Sequence, residues 1–225
     1  MGEYWRLDAN VTVTVSAGRA IFLDVARDRY TMLSPAQNAA FVSWLGECGT
    51  AMPAACRSAL AARLGLDDAE RIMPRRLSVA VPCEVPGPRL PEVRARLGEA
   101  VAVARSVMRA RRMLRRQPLH ANLSRRQSAL DYRRPLRTAP DRQATVSRAA
   151  IFHAVRHLAP VRRVCLLDSL ALIDWLDDEL EGVQLVFGVT AYPFGAHCWV
   201  QTREMLLGDE PDTIGRYTPI LHIGG

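Results

Sequence analysis

A thiol, an imidazole and a carboxylate follow one another in the C-terminal part of this 225-residue chain, as Cys165, His197 and Asp209. Residues of these three types perform acyl chemistry when a fold brings them together. The thiolate attacks a carbonyl carbon, the histidine takes up and returns the proton, and the carboxylate fixes the tautomer and orientation of the imidazole. The three residues therefore predict a cysteine hydrolase, provided that the surrounding elements place them side by side.

The residues after Cys165 have the apolar spacing of a buried helix, with Leu166, Leu170 and Ile173 three to four positions apart. Pro160 is a plausible break before it. We therefore expect Cys165 in the first turn of this helix. There, unpaired backbone N–H groups and the positive end of the helix dipole favour a thiolate over a thiol. The arginines at positions 162 and 163 are expected to act in the same direction.

Two runs of residues after the helix have strand character, at positions 183–189 and 197–202, and a Tyr-Pro-Phe-Gly sequence separates them. They predict an antiparallel pair in which His197 begins the second strand. Residues 205–207 predict a third short strand that brings Asp209 back beside His197. A cysteine on a helix, a histidine on a strand and an acid near the next strand is the layout of papain-like and transglutaminase-like folds.

Several short motifs surround these three residues. They are Cys165-Leu166 with Ser169 and Ala171, Phe187-Gly188-Val189, Phe194 with Ala196-His197 and Trp199-Val200, and Asp209 followed by Tyr217-Thr218-Pro219-Ile220. Together they resemble the lasso-peptide maturation protease over residues 150–222. This is the transglutaminase-like leader peptidase, or B protein, of ribosomal lasso peptide clusters. The chain departs from that family at Cys198, where a small residue is usual, and at Gly208, where asparagine is usual. Because strand side chains alternate, we expect Cys198 to point away from His197.

The remaining cysteines and histidines lack comparable surroundings, and we expect them at the surface or in the core: Cys48, Cys56, Cys83, His120, His153, His157 and His222. Glu210 and Asp212 are alternatives to Asp209 as the acid, and both are expected to be solvated. Cys165, His197 and Cys198 lack the paired short spacings of a structural zinc site. The sequence therefore implies no metal and no organic cofactor.

The first 85 residues predict strands followed by helices. Strand-like runs lie at positions 4–7, 11–15, 19–25 and 29–33. Ser34-Pro35 predicts the start of a helix to Leu45, a second helix spans 53–64, and a third begins near Asp67. The pattern of three strands and then helices, with Leu-Ser-Pro between them, resembles the PqqD-like precursor-recognition domain, a winged-helix-type module that binds leader peptides. The resemblance implies that a peptide adds as a strand at a sheet edge. The candidate leader-binding residues are Arg29, Tyr30, Thr31, Met32 and Leu33. Hairpins that merely complete one globular fold are the alternative.

The excess positive charge lies in the middle of the chain. Residues 94–150 carry fifteen arginines and three acidic residues, a net of +12, whereas residues 1–93 are balanced and residues 151–225 carry a net of −5. Residues 93–113 have helical spacing, and a basic stripe runs along them: Arg105, Arg109, Arg112 and Arg116. A solvated helix face is the simplest interpretation, and docking to an acidic partner, an acidic precursor or an anionic membrane surface is the alternative. The scarcity of aromatic residues in this segment argues against nucleic-acid binding.

The composition narrows the function further. All thirty basic residues are arginine, so the chain has no lysine for a Schiff base or a P-loop. No apolar run approaches the roughly 18–20 residues of a membrane span, and the first residues lack the pattern of a secretory signal. The odd number of cysteines, five, favours a reducing compartment. We therefore expect a cytoplasmic protein.

These segments predict an α+β protein. A winged-helix-like domain of three strands plus helices occupies residues 1–85, a basic helical connector that packs on the protease occupies 86–150, and a transglutaminase/papain-like core occupies 151–225. The resemblance implies a cysteine peptidase that removes the leader from a lasso peptide precursor before macrolactam closure. It also implies two partners, the precursor (leader) peptide and an ATP-dependent, asparagine-synthetase-like lasso cyclase. A non-catalytic precursor-binding and delivery module, and a transglutaminase-like acyl transferase, are the alternatives.

Overall fold

The computed structural model describes residues 2–47, 51–65, 73–82, 92–133, 142–176 and 182–224, without the side chains of 130–133 and 142. The predicted third helix from Asp67, as well as Cys48 and Cys83, lie outside the described residues. The chain divides into two units. The first contains Met1–Val79, Gly188–Ala196 and Tyr217–Leu221, and the second contains Ala80–Phe187, His197–Arg216 and His222–Gly225.

The first unit is built on an antiparallel sheet of five strands: β1 (Gly2–Arg6), β2 (Val11–Ser16), β3 (Arg19–Asp24), β4 (Arg29–Met32) and β5 (Arg75–Val79). Their order is β4-β3-β2-β1-β5, so β4 and β5 are the two edges. The four strand-like runs of the sequence correspond to β1–β4, and with β5 the described part of this sheet has five strands where the domain pattern implied three. The sequence pattern does not predict β5. It follows the helices and pairs along its whole length with β1, from Gly2 opposite Val79 to Arg6 opposite Arg75.

Two helices cover this sheet, and the ends of both lie within one residue of the predicted boundaries. Helix α1 (Pro35–Gly46) begins with a capping box between Ser34 and Gln37, and helix α2 (Ala54–Leu64) ends at Gly65 in the left-handed conformation, with φ 65°. The buried core includes Phe22 and Phe41, whose ring centroids lie 5.0 Å apart. Asn38 joins α1 to the β2–β3 turn, because its amide oxygen accepts the Ala20 N–H at 2.8 Å and its NH2 group donates to Gly18 O at 2.9 Å.

The second unit contains four long helices: α3 (Leu97–Arg116), α4 (Leu119–Arg133), α5 (Arg142–Val155) and α6 (Cys165–Leu176). Helix α3 packs against α5 and α6 and buries Val103, Val107 and Ala110. All four arginines of the basic stripe are exposed on its other side. Helix α4 is tied to α6 by Arg126, whose guanidinium Nη2 lies 2.9 Å from both carboxylate oxygens of Asp174. None of the helices among the described residues combines the length and apolar character that crossing a membrane requires.

A second sheet contains β6 (Gln184–Ala191), β7 (Phe194–Gln201) and β8 (Thr218–Gly224) in the order β7-β6-β8, and a short helix α7 (Pro211–Ile214) precedes β8. The strand predicted at 205–207 is reduced to a single bridge between Gln201 and Leu206. The chain nevertheless doubles back after β7, since the Leu207 N–H donates to Val200 O at 2.9 Å. This return places Asp209 beside His197, which lies in the middle of β7 and not, as predicted, at its start.

Candidate active site

The start of helix α6 is held by a buried arginine. Arg156, in a 3-10 turn after α5 (Arg156–Leu158), is fully buried, at 0% exposure. Its Nε donates to Asp168 Oδ1 at 2.7 Å, and its other guanidinium nitrogens donate to Val161 O at 3.2 Å and Arg162 O at 3.5 Å. These bonds connect the 3-10 turn, the loop before α6 and the first turn of α6. They position Cys165, which is the first residue of that helix.

The Cys165 side chain is half-buried and accepts hydrogen bonds at its sulfur. Its partners are the side chains of Cys198 and His197 and the backbone of Cys198. These bonds, that of the Cys198 thiol foremost and that of His197 next, lower the pKa of Cys165 to about 4 against the opposing effect of burial. The sulfur is therefore a thiolate at neutral pH. The arginines upstream were expected to favour the Cys165 thiolate. Arg163 instead pairs with Asp168, since its Nε lies 3.3 Å from Asp168 Oδ2.

His197 lies on β7 between Cys165 and Asp209. Its Nε2 is 3.0 Å from Asp209 Oδ1. This bond leaves Nδ1 as the ring nitrogen that serves Cys165. The hydrogen bond to Asp209, followed by that to Cys165, raises the pKa of His197 to about 9. The alternative acids Glu210 and Asp212 are exposed, as the sequence predicts.

A buried tryptophan supports the imidazole. The rings of His197 and Trp199 are stacked, with centroids 6.2 Å apart and an interplanar angle of 21°. Trp199 is itself fully buried, and its indole N–H donates to Gln201 Oε1 at 2.7 Å. Gln201 in turn donates to Gln184 Oε1 on β6 at 3.1 Å and to the Ala80 carbonyl. This series of contacts holds the His197 ring in one plane.

Cys198 approaches Cys165 in a way that strand alternation does not predict. The alternation predicts that Cys198 points away from His197, and the stacking of His197 on Trp199, two positions along the strand, agrees with it. The Cys198 thiol is nevertheless a hydrogen-bond partner of Cys165, as His197 is. The reason is that the start of α6 lies against the backbone of β7 at this position. Ser169, one helical turn after Cys165, donates its hydroxyl to Cys198 O at 3.2 Å. The Cys198 thiol keeps its proton, because its bond to Cys165 and its burial raise its pKa well above the usual value.

Two residues that sequence reasoning missed hold the loop before Asp209. His153 on α5 donates its Nε2–H to Leu207 O at 2.9 Å. Burial lowers the pKa of His153, which keeps the ring neutral and able to form this bond. The ring occupies the space where a Cβ of Gly208 would lie, and Gly208 has φ +127°, a conformation that favours glycine. In the sequence, the only local sign of this contact is the glycine at position 208, where the lasso leader peptidases usually have asparagine.

A family match covers the part of the chain that holds this site. Residues 101–222, more than half of the chain, match the Transglutaminase-like superfamily. The chain belongs to this superfamily. Comparisons with curated proteins and with solved structures give no significant match. The matched range begins inside α3 and ends in β8, so the transglutaminase-like domain contains Cys165, His197 and Asp209 together with the helices that position them.

The other predicted residues lie elsewhere. Arg29, Tyr30, Thr31 and Met32 form the edge strand β4, and Leu33 follows it with its side chain buried. Cys56 is buried in the first unit, where its thiol donates to Gln37 O at 3.4 Å. Within the part of the chain that the structure describes, no group of three or more His, Cys, Asp or Glu side chains is placed to hold a metal ion.

The hydrogen bonds at Cys165 predict how fast it reacts with iodoacetamide as the pH changes. Because its pKa is about 4, the wild-type protein should be alkylated near its maximal rate at pH 6. Cys198→Ala and His197→Ala each remove a donor to the sulfur, so the midpoint of alkylation should move to higher pH in both. Cys56→Ala is the control and should leave the midpoint unchanged. Alkylation rates are followed by intact-protein mass spectrometry. A wild-type midpoint near ~8.5, the value of an unperturbed thiol, would contradict this assignment.

The contact between His153 and Gly208 predicts an unequal effect of two Gly→Ala substitutions. Gly208→Ala should be the more destabilising, because the new Cβ overlaps the His153 ring. Gly182→Ala is the matched control, since Gly182 also has a positive φ, +73°, but nothing within 4 Å of its Cβ position. Forcing a methyl group into occupied space costs about 1–3 kcal/mol, and the backbone strain at φ +127° adds to it, since that angle is less accessible to alanine than φ +73°. Urea unfolding of both variants measures the difference, and equal free energies of unfolding would show that the contact does not constrain the loop.

Proposed function

We propose that the protein is a cysteine peptidase that removes the leader from a ribosomally made lasso peptide precursor before macrolactam closure. The observation that carries this proposal is the contact of Cys165, His197 and Asp209 within a transglutaminase-like domain. The motifs around these residues, which resemble lasso leader peptidases, supply the substrate class. Membership of the superfamily alone supports the coarser activity, that of a cysteine peptidase or acyl transferase.

The chemistry begins from the thiolate–imidazolium pair. The Cys165 sulfur attacks the carbonyl carbon of the last leader residue, and the electron pair of the carbonyl moves onto oxygen. The backbone N–H of Cys165 is at the first position of α6, where no intrahelical acceptor exists, and it is suited to bind this oxyanion. His197 then gives its proton to the departing nitrogen, which becomes the amino terminus of the core peptide. The leader stays bound to Cys165 as a thioester.

Deacylation reverses the roles. Neutral His197 takes a proton from water, whose oxygen attacks the thioester carbon, and the leader leaves as a carboxylate while the thiolate is restored. Asp209 accepts the Nε2–H of His197 throughout and orients the ring. The stacked, fully buried Trp199 restricts its rotation. The freed core terminus is the amine that an ATP-dependent, asparagine-synthetase-like cyclase partner would join to a side-chain carboxylate.

The first unit is proposed to bind the leader. Its β4 strand is an edge of the five-stranded sheet, and an extended peptide can add to such an edge through main-chain hydrogen bonds. Arginines lie along this edge. Arg63 on α2 donates to Met32 O at 2.6 Å, and Arg19 donates to Leu33 O at 2.8 Å. The proposed leader contacts are Arg29 to Leu33, and the reaction is assigned to the cytoplasm, where the precursor is translated.

Cleavage of a lasso precursor peptide tests the proposed chemistry. Cys165→Ala should abolish cleavage, and His197→Ala should match that loss within about an order of magnitude, because members of a triad act as a unit. Cys56→Ala is the matched control and should cleave normally. In the wild type, kcat/KM should fall below pH about 4, as Cys165 is protonated, and above pH about 9, as His197 loses its proton. Mass spectrometry in 18O-labelled water separates hydrolysis, which labels the leader carboxylate, from transfer to an added amine. Normal cleavage by Cys165→Ala would refute the assignment of the nucleophile.

Leader peptides with single N-methylated backbone positions test the proposed recognition. The experiment uses full-length Cys165→Ala protein, which should bind the leader without cutting it. Strand addition should give a loss of affinity at every second position, since alternate N–H groups of an added strand face the sheet. Tyr30→Ala on β4 should also weaken binding, whereas Arg76→Ala on the opposite edge β5 should not. Binding is measured by fluorescence anisotropy. Equal losses at all methylated positions, or a greater loss for Arg76→Ala, would exclude addition to β4.

A further inference from the structure

The second thiol at the site has no step in the peptidase reaction. Cys198 is 3% exposed, carries a free thiol, and is in hydrogen-bond contact with the sulfur of Cys165 through its side chain and its backbone. The bond from Ser169 to Cys198 O fixes the backbone at this point. Among the described cysteines, Cys56 lies in the first unit and Cys165 and Cys198 in the second. The chain therefore places two sulfurs together at the position where its reactivity is concentrated.

We propose that Cys198 is a resolving thiol: when a peroxide oxidises Cys165, Cys198 closes a disulfide with it, and a thiol reductant later restores the active enzyme. The peptidase would then be switched off reversibly under oxidising conditions instead of being destroyed. The inference goes beyond leader cleavage, because the thiol chemistry requires no peptide substrate.

The first step oxidises Cys165. Its thiolate attacks one oxygen of hydrogen peroxide, an S–O bond forms, the O–O bond breaks, and hydroxide leaves. The sulfur gives up two electrons and becomes a sulfenic acid, Cys165–SOH. Thiolate character and partial exposure select this cysteine. Cys165 has both, whereas Cys56 and Cys198 are buried and keep their protons.

The second step closes the disulfide. Cys198 sulfur attacks Cys165 sulfur, the S–O bond breaks, and the thiol proton joins the departing hydroxide as water. Oxidation of Cys165 removes the negative charge that keeps Cys198 protonated, so its thiol becomes easier to ionise once it is needed. His197, which contacts Cys165, can relay this proton, giving its own to the leaving oxygen and taking up that of the Cys198 thiol. Two molecules of a thiol reductant reverse the process by exchange, giving both cysteines back as thiols.

The competing reaction is further oxidation of Cys165. If the sulfenic acid reacts with a second peroxide molecule before it reacts with a thiol, it becomes a sulfinic acid. Ordinary thiol reductants do not reduce a sulfinic acid back to the thiol. Contact between the two sulfurs makes disulfide closure intramolecular, which favours it over a second collision with peroxide. The presence of Cys198 should therefore decide whether oxidative inactivation is reversible.

Intact-protein mass spectrometry of the full-length chain treated with a small excess of hydrogen peroxide tests this proposal. The wild type should lose two hydrogen masses and regain them with dithiothreitol. Cys165 and Cys198 lie in one tryptic peptide, residues 164–203, because the chain has no Arg or Lys between them. After peroxide, this peptide should resist iodoacetamide until it is reduced. Cys56→Ala should behave in the same way as the wild type.

Cys198→Ser and Cys198→Ala should give the opposite result. The sulfenic acid should persist long enough to be trapped by dimedone, and continued exposure should add two oxygen atoms to Cys165 irreversibly. Relative to its own untreated activity, each variant should recover about tenfold less cleavage after dithiothreitol than the wild type does. Two oxygens on wild-type Cys165, or a disulfide that leaves Cys198 free, would overturn the proposal. The masses are measured without any peptide cleavage. This test of the disulfide therefore remains valid even if the protein does not have the proposed peptidase activity.

Discussion

The buried ion pair between Arg156 and Asp168 is the constraint on which the site depends. A guanidinium with no exposed surface must satisfy its hydrogen-bond donors inside the protein, and here it does so with one carboxylate and two loop carbonyls. Removing one partner of such a pair costs about 3–5 kcal/mol, because the other charge is left uncompensated. The loop before α6 can therefore take few other conformations. The first residue of α6 is the proposed nucleophile, so the same bonds that satisfy a buried charge also fix the position of the Cys165 sulfur.

Charge at the site is organised around one negative sulfur. Two thiols in contact do not both ionise, because like charges at this separation repel strongly. Cys165 takes the charge since His197 stands beside it, and Cys198 stays neutral and donates its S–H. Asp209 stabilises the imidazolium from the far side. A neutral His153 then keeps the acid's loop in place without adding a positive charge that would compete for Asp209. Cys165, His197, Cys198 and His153 thus each have the protonation state that their neighbours require.

Local pattern predicted the parts of the fold whose signals are local. The helix that starts at Cys165, the β6–β7 hairpin and the caps of α1 and α2 follow from apolar spacing, turn residues and capping residues within a few positions. The features that escaped prediction depend on contacts between distant residues. Strand β5 has little alternation of its own and is defined by its pairing with β1, more than seventy residues earlier. His153 and Gly208 are fifty-five positions apart, and only the packing of α5 against the loop shows that the missing side chain makes room for an imidazole. The approach of Cys198 to Cys165 also escaped prediction, because alternation describes a strand by itself and says nothing of a helix whose first turns contact its backbone.

The lysine-free composition bears on what resolves the acyl-enzyme. A thioester at Cys165 reacts with water or with an amine. All thirty basic side chains are guanidinium groups, which stay protonated and are poor nucleophiles, so the chain offers no side-chain amine that could capture its own acyl group. The amine released from the substrate carries the proton of His197 and leaves as a neutral amine. In water at neutral pH most of it takes up a second proton, because an α-amino group has a pKa of roughly 7.7–8.0, and the resulting ammonium group cannot attack. His197 is meanwhile neutral and able to activate water beside the thioester. Free amine is therefore scarce beside water, which supports hydrolysis as proposed over transfer on this transglutaminase-like scaffold.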